Sequence, residues 1–141
     1  MKKDLLKIIQ RIQRKKAVGI FYNVDKENTA LIVNKLLDEK LAVHVRGKFA
    51  SDKMTLKFRL GNLFKIKKFD YSMLPAAIEN KMLLISEADF IKPTYSDVLD
   101  NLSKNKVPTL LIVNTNAGIE KVRKLKCFMS ILTIEYDFSM N

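Results

Sequence analysis

Residues 16–48 read KAVGIFYNVDKENTALIVNKLLDEKLAVHVRGK, and this stretch decides the fold. Ala17 to Asn23 is a continuous apolar run of the length that a strand buried on both faces needs. A polar turn, VDKEN, comes next. From Asn28 to about Lys40 the residues Leu31, Ile32, Lys35 and Leu36 recur at helical spacing, with Asp25 or Asn28 placed to cap the helix. LAVHVRG, Leu41 to Gly47, then reads as a second short strand. Strand–helix–strand over residues 17–46 implies a right-handed crossover and two parallel strands.

The rest of the chain extends this pattern. Residues 2–15 place Leu5, Ile8, Ile9 and Ile12 on one helical stripe, so residues 1–16 form a basic amphipathic helix packed on the core. KMTLKFRL (53–60) alternates, with Met54, Leu56, Phe58 and Leu60 against Lys53, Thr55, Lys57 and Arg59, which predicts a strand. Gly61-Asn62 would turn it into a return strand carrying Phe64 and Ile66 among Lys65, Lys67 and Lys68, a basic β-hairpin. A helical turn over Leu74 to Glu79 leads to the buried strand KMLLIS (81–86) and its polar exit EADFIKP. Ser86 or Glu87 is placed to cap the next helix. That helix, from Ser96 to Lys104, the strand PTLLIVNT (108–115), a helix from Gly118 to Lys126 and a last strand in FMSILTIEYDF (128–138) complete the chain. The expected fold is a single α/β domain over residues 1–141, three-layered and Rossmann-like or RecA-like. It has five to seven mostly parallel strands and the basic hairpin as an insertion.

The 141 residues carry a formal net charge of +11, and its distribution is uneven. Residues 1–70 contain 18 Lys/Arg and 7 Asp/Glu, whereas residues 71–141 contain 8 of each, so the whole excess lies in the first half. Such segregation is the electrostatic footprint of a surface for a polyanion. The candidate contacts are Lys3, Lys7, Arg11 and Arg14 on the first helix, then Arg46, Lys48, Lys53, Lys57, Arg59, Lys65, Lys67 and Lys68 around the hairpin. Phe58, Phe64 and Phe69 stand among these lysines where bases of a single strand could stack, although alternation assigns the first two to the core.

Several chemistries are missing. Of the four glycines only Gly47 precedes a lysine, no glycine stands five residues before it, and Phe49 occupies the place of the Ser/Thr that a phosphate-cradling loop requires. His44 is the only histidine and sits in mid-strand, which reads as a surface-facing residue. The lone Cys127 excludes a disulfide framework and reads as core at the start of the last strand. Carboxylates offer the one catalytic alternative. Asp25 follows the first strand, Glu87 and Asp89 follow KMLLIS, and Asp70 precedes a turn, so these acids could converge at the carboxyl edge of the sheet. Together they could hold Mg²⁺ or Mn²⁺ for phosphodiester hydrolysis; otherwise no cofactor is expected.

Residues 16–48 resemble the opening of the second RecA-like domain of superfamily 2 helicases, in which a strand of this type leads through a polar turn and a helix to a strand ending in glycine. The order of basic helix, VGIFYN, helix, VHVRG, MTLKFRL and KMLLIS is similar to the chi subunit of the bacterial clamp loader. That resemblance implies a helicase-like fold without ATPase activity, docking a partner subunit and the acidic tail of single-stranded-DNA-binding protein. DKEN (25–28) and LLISEADF (83–90) are similar to segments of NYN/PIN-type ribonucleases, in which Asp25 and Asp89 would map onto metal ligands. Asn23 stands where that family's first acid ends the strand, and the Gly-Asp after Ser86 is missing.

The reading these observations favour is a non-catalytic nucleic-acid-binding module, a replication or recombination accessory with single-stranded DNA or RNA, or an acidic protein tail, as partner. The alternatives are a metal-dependent nuclease and a phage or plasmid protein that binds an acidic host protein. No apolar run approaches the roughly 18 residues of a membrane helix and no cleavage-site pattern follows the first helix, so a cytoplasmic location is expected.

Overall fold

The computed structural model describes residues 3–125 and 130–140. Five strands, β1 (Val18–Tyr22), β2 (Ala42–Arg46), β3 (Met82–Ser86), β4 (Thr109–Ile112) and β5 (Thr133–Asp137), form one sheet in the order β2-β3-β4-β1-β5. Every pairing is parallel. The helices are α1 (Lys3–Lys15), α2 (Lys26–Asp38), α3 (Lys53–Phe64), α4 (Leu74–Ile78), α5 (Tyr95–Lys104) and α6 (Asn116–Arg123). The α/β expectation holds, and the strand–helix–strand at residues 17–46 is β1-α2-β2.

Strand alternation divides the core into two layers. On one side Phe21, Ala42, Met82, Leu84, Leu110 and Ile112 meet Leu5, Ile9 and Ile12 of α1 and Ile32, Val33 and Leu36 of α2. On the other, Val18, Ile20, Val45, Leu83, Ile85 and Leu111 meet α3 (Leu56, Leu60), α4 (Leu74, Ile78), α5 (Val98, Leu99, Leu102) and α6 (Ile119, Val122). Burying an aliphatic side chain of this size stabilises by roughly 1.5–3 kcal/mol. The β1-to-β2 connection therefore crosses one face and the β4-to-β5 connection crosses the other. β1 and β4 are neighbours, so the topological switch lies between their carboxyl ends.

Two segments depart from expectation. KMTLKFRL is not a strand and there is no basic β-hairpin: residues 53–64 are α3, and the sheet has no antiparallel insertion. The expected strand FMSILTIEYDF is shorter, with β5 beginning at Thr133. Cys127, and with it the reading of that residue as core, lies outside the described residues.

Candidate nucleic-acid interface

Local chemistry explains why α3 is a helix. Asp52 caps it: its carboxylate accepts the Thr55 backbone N–H at 3.0 Å, while the Thr55 hydroxyl oxygen accepts the Asp52 N–H, closing a capping box. Those bonds hold the Asp52 carboxyl below its ordinary range, the Thr55 backbone N–H foremost. Thr55 is the one β-branched residue of the helix, and its Lys, Met, Leu and Arg are good helix formers. Lys65 closes the helix in a left-handed conformation (φ 55°), its N–H donating to the carbonyls of Asn62 and Gly61.

The alternating apolar pattern hides two helical stripes. Residues two apart are turned by roughly 200° on a helix, so Leu56 and Leu60 point to the core while Met54 and Phe58 point away from it. Leu56 and Leu60 are fully buried, whereas Met54, Phe58 and Leu63 are 73%, 67% and 53% exposed. Phe58, which alternation assigned to the core, is thus a surface residue. Phe64 and Phe69 pack against the core, Phe69 edge-on to Tyr71 with ring centroids 5.2 Å apart. A helix with an apolar outer face is not explained by its own domain, and exposed patches of this kind mark interaction sites.

Cations surround that face. The guanidinium groups of Arg46 and Arg59 lie 5.3 and 5.1 Å from the centroid of the Phe49 ring, itself 44% exposed. Lys57 Nζ stands 5.6 Å from the Tyr71 ring centroid. A groove of about 660 Å³ runs along α3 between Met54, Lys57 and Phe58 on one wall and Lys65, Lys67 and Phe69 on the other. A second hollow, of about 510 Å³, lies between β2 and α3, with Arg46, Phe49, Arg59 and Leu63 on its walls. Lys48 and Lys68 are exposed nearby in the chain, and Lys53 is half-buried in the first turn of α3.

The cations of α1 lie elsewhere. Lys7, Arg11 and Arg14 are exposed on a helix that packs, with α2, on the opposite side of the sheet from α3. Lys3 begins the same helix. The basic half of the chain therefore presents two surfaces, and only the α3 surface combines charge with exposed rings.

The four acids of the nuclease alternative each have a local task. Asp25 caps α2, accepting the Asn28 N–H at 2.7 Å. Asp70 accepts the Ser72 N–H at 3.0 Å at the start of the turn before α4, which holds its carboxyl below the ordinary range. Glu87, in a left-handed conformation (φ 52°), takes a 2.5 Å ion pair from Arg46 and caps nothing with its side chain. Asp89 accepts from the Asn114 N–H (2.9 Å), the Thr115 N–H (2.9 Å) and the Thr115 hydroxyl (2.6 Å), tying β3 to the start of α6. Among the described residues no three or more His, Cys, Asp or Glu side chains come together in a group that could hold a metal ion.

The carboxyl edge nonetheless carries a cleft of about 750 Å³. One wall is a stripe of α2, from Lys26 through Thr29, Ala30, Val33 and Asn34; the other is built by the ends of β2, β3 and β4. His44 is half-buried there rather than turned to the surface, with Nε2 2.7 Å from Ser86 Oγ. Burial, and next the Arg46 charge, lower its pKa from the ordinary 6.5. Gly47 lets β2 close on β3, since a Cβ there would sit 2.2 Å from the Glu87 carbonyl oxygen. The cleft was missed at the level of sequence because its walls come from four separate segments. The Asp52-x-x-Thr55 capping pair was the available signal for α3.

No family model matches the chain, and no curated protein matches it by sequence. Its fold does match solved structures. A chain from the "Structure of Drosophila ORC bound to AT-rich DNA and Cdc6" superposes on 96% of this chain with a TM-score of 0.60 at 8% identity. The match spans 28% of that longer chain. It supports a distant RecA-like resemblance at the level of fold. Among the described residues no helix is long and apolar enough to cross a membrane.

Proposed function

We propose that this protein is a non-catalytic nucleic-acid-binding module, a replication or recombination accessory that holds a single strand on the α3 face. The observation that carries the reading is the outward side of α3, where Phe58 and Met54 are exposed beside Lys57, Lys65 and Lys67, with Arg59 on the adjoining hollow. Cations along a groove bind the phosphates of any sequence, and exposed rings stack on unpaired bases, which a duplex keeps covered. A longer protein, 28% of which superposes on this chain, occurs in an assembly bound to AT-rich DNA, which accords with a nucleic-acid partner.

The test is a titration of labelled single- and double-stranded oligonucleotides at about 50 and about 200 mM salt. Single strands should bind more tightly than duplexes and lose affinity steeply with salt. Replacing Lys57, Arg59, Lys65 and Lys67 by Glu should abolish binding. Salt-independent affinity, or full affinity in the fourfold variant, would refute the proposal. Binding of an acidic peptide in place of both nucleic acids would assign the same face to a protein tail.

A further inference from the structure

We infer that the carboxyl-edge cleft accepts one unstacked nucleotide from the strand lying on the α3 face, an inference that rests on the reading of that face as strand-binding. The observation is a continuity between two hollows. The hollow between β2 and α3 and the cleft between α2 and the sheet share His44 and Arg46. β2 is the edge strand, so a chain crossing Phe49 and Arg59 can pass the end of β2 and reach the other side of the sheet.

The cleft has the chemistry of a nucleotide site. Its volume of about 750 Å³ lies within the range for small-ligand pockets, roughly 300–1,000 Å³. Ala30 of α2 and the half-exposed ring of Phe90 supply apolar surface for the faces of a base. Asn34, exposed on the same stripe of α2, has an amide that can both donate to and accept from a base edge. Lys26, Arg46 and Lys48 are its three cations, set against Glu87, which already pairs with Arg46, and Asp89, whose carboxylate is committed to Asn114 and Thr115. The remaining positive charge suits a phosphodiester or phosphate monoester next to the base. The β1–α2 turn, VDKEN, has no glycine pattern for a triphosphate cradle, so the phosphate contacts would come from side chains.

The experiment uses single-stranded oligonucleotides carrying one 2-aminopurine at successive positions, and two variants of the full chain. Ala30→Trp fills the cleft from an exposed position, whereas Phe58→Ala removes the ring from α3. The wild-type protein should change the probe's fluorescence strongly at one register. Ala30→Trp should erase that change and weaken binding about tenfold, the worth of one stacked base, while Phe58→Ala weakens binding but keeps the change at saturation. A uniform fluorescence response, with Ala30→Trp binding as wild type, overturns the cleft site and leaves the α3 reading standing. Where no oligonucleotide binds, the α3 reading fails and the strand form of this inference fails with it. A parallel NMR titration with thymidine 5′-monophosphate and inorganic phosphate separates free from strand-borne nucleotide. Shifts at residues 26–34, 44–48 and 86–90 with the nucleotide and not with phosphate support the site. Equal shifts with both ligands, or none with either, count against base recognition.

Discussion

Asp89 illustrates how a residue of catalytic type can be engaged in structure. Its three bonds to Asn114 and Thr115 fasten the end of β3 to the start of α6, and Gly118 approaches so closely that a Cβ would meet Asp89 Oδ2 at 2.2 Å. Asp89→Ala should therefore cost about 3 kcal/mol of stability, since the amide donors lose a charged acceptor. Urea unfolding measures this, and a loss below about 1 kcal/mol would contradict the role. His44 yields a prediction in pH. Burial and Arg46 depress its folded pKa below the ordinary 6.5, so the unfolded chain takes up this proton first. Its contribution is fully present above about pH 6.5 and declines as the pH falls from there toward the lowered folded value. Stability should therefore fall as the pH drops below about 6.5, and fall less in His44→Gln. Equal pH dependence in the two proteins would exclude His44 as the cause.

At the scale of the element, α3 is the informative piece. The residues that make it a helix, Asp52, Thr55 and the Leu56–Leu60 pair, differ from those that stay exposed, Met54 and Phe58 on its outward side and Leu63 beside β2. Changes to the two sets should separate stability from binding. Asp52→Ala removes the cap and should cost about 1 kcal/mol of stability. Phe58→Ala should leave the unfolding midpoint unchanged and reduce single-strand affinity about tenfold. A lowered midpoint for Phe58→Ala would place the ring in the core after all. Alternation misled the reading of this segment for a physical reason. It assumes that every apolar residue seeks the domain's own interior, and half of those in α3 do not.

For the whole molecule the sheet acts as a partition. α1 and α2 cover one side, α3 to α6 the other, and the +11 charge is distributed across both. Replacing Lys7, Arg11 and Arg14 by Gln should therefore lower oligonucleotide affinity less than the same neutralisation of Lys57, Arg59 and Lys65. Removing one cation from a phosphate reduces the salt slope by about one. A larger effect from the α1 set, measured by the same titration, would move the interface to the other side of the sheet.

The sequence by itself determined the α/β class, the β1-α2-β2 unit, the parallel sheet and the missing phosphate loop. These depend on periodicity and local spacing, which a linear chain displays. It also placed the charge in the first 70 residues and offered Asp25 or Asn28 as the cap of α2, of which the structure uses Asp25. Tertiary structure alone decided which residues of α3 are buried, Leu56 and Leu60, and which are exposed, Met54 and Phe58, because only packing against the sheet fixes the inward side of a helix. It alone set α1 against α3 across the sheet. It also assembled the cleft, whose walls are remote in sequence and meet only when β2, β3 and β4 end side by side under α2.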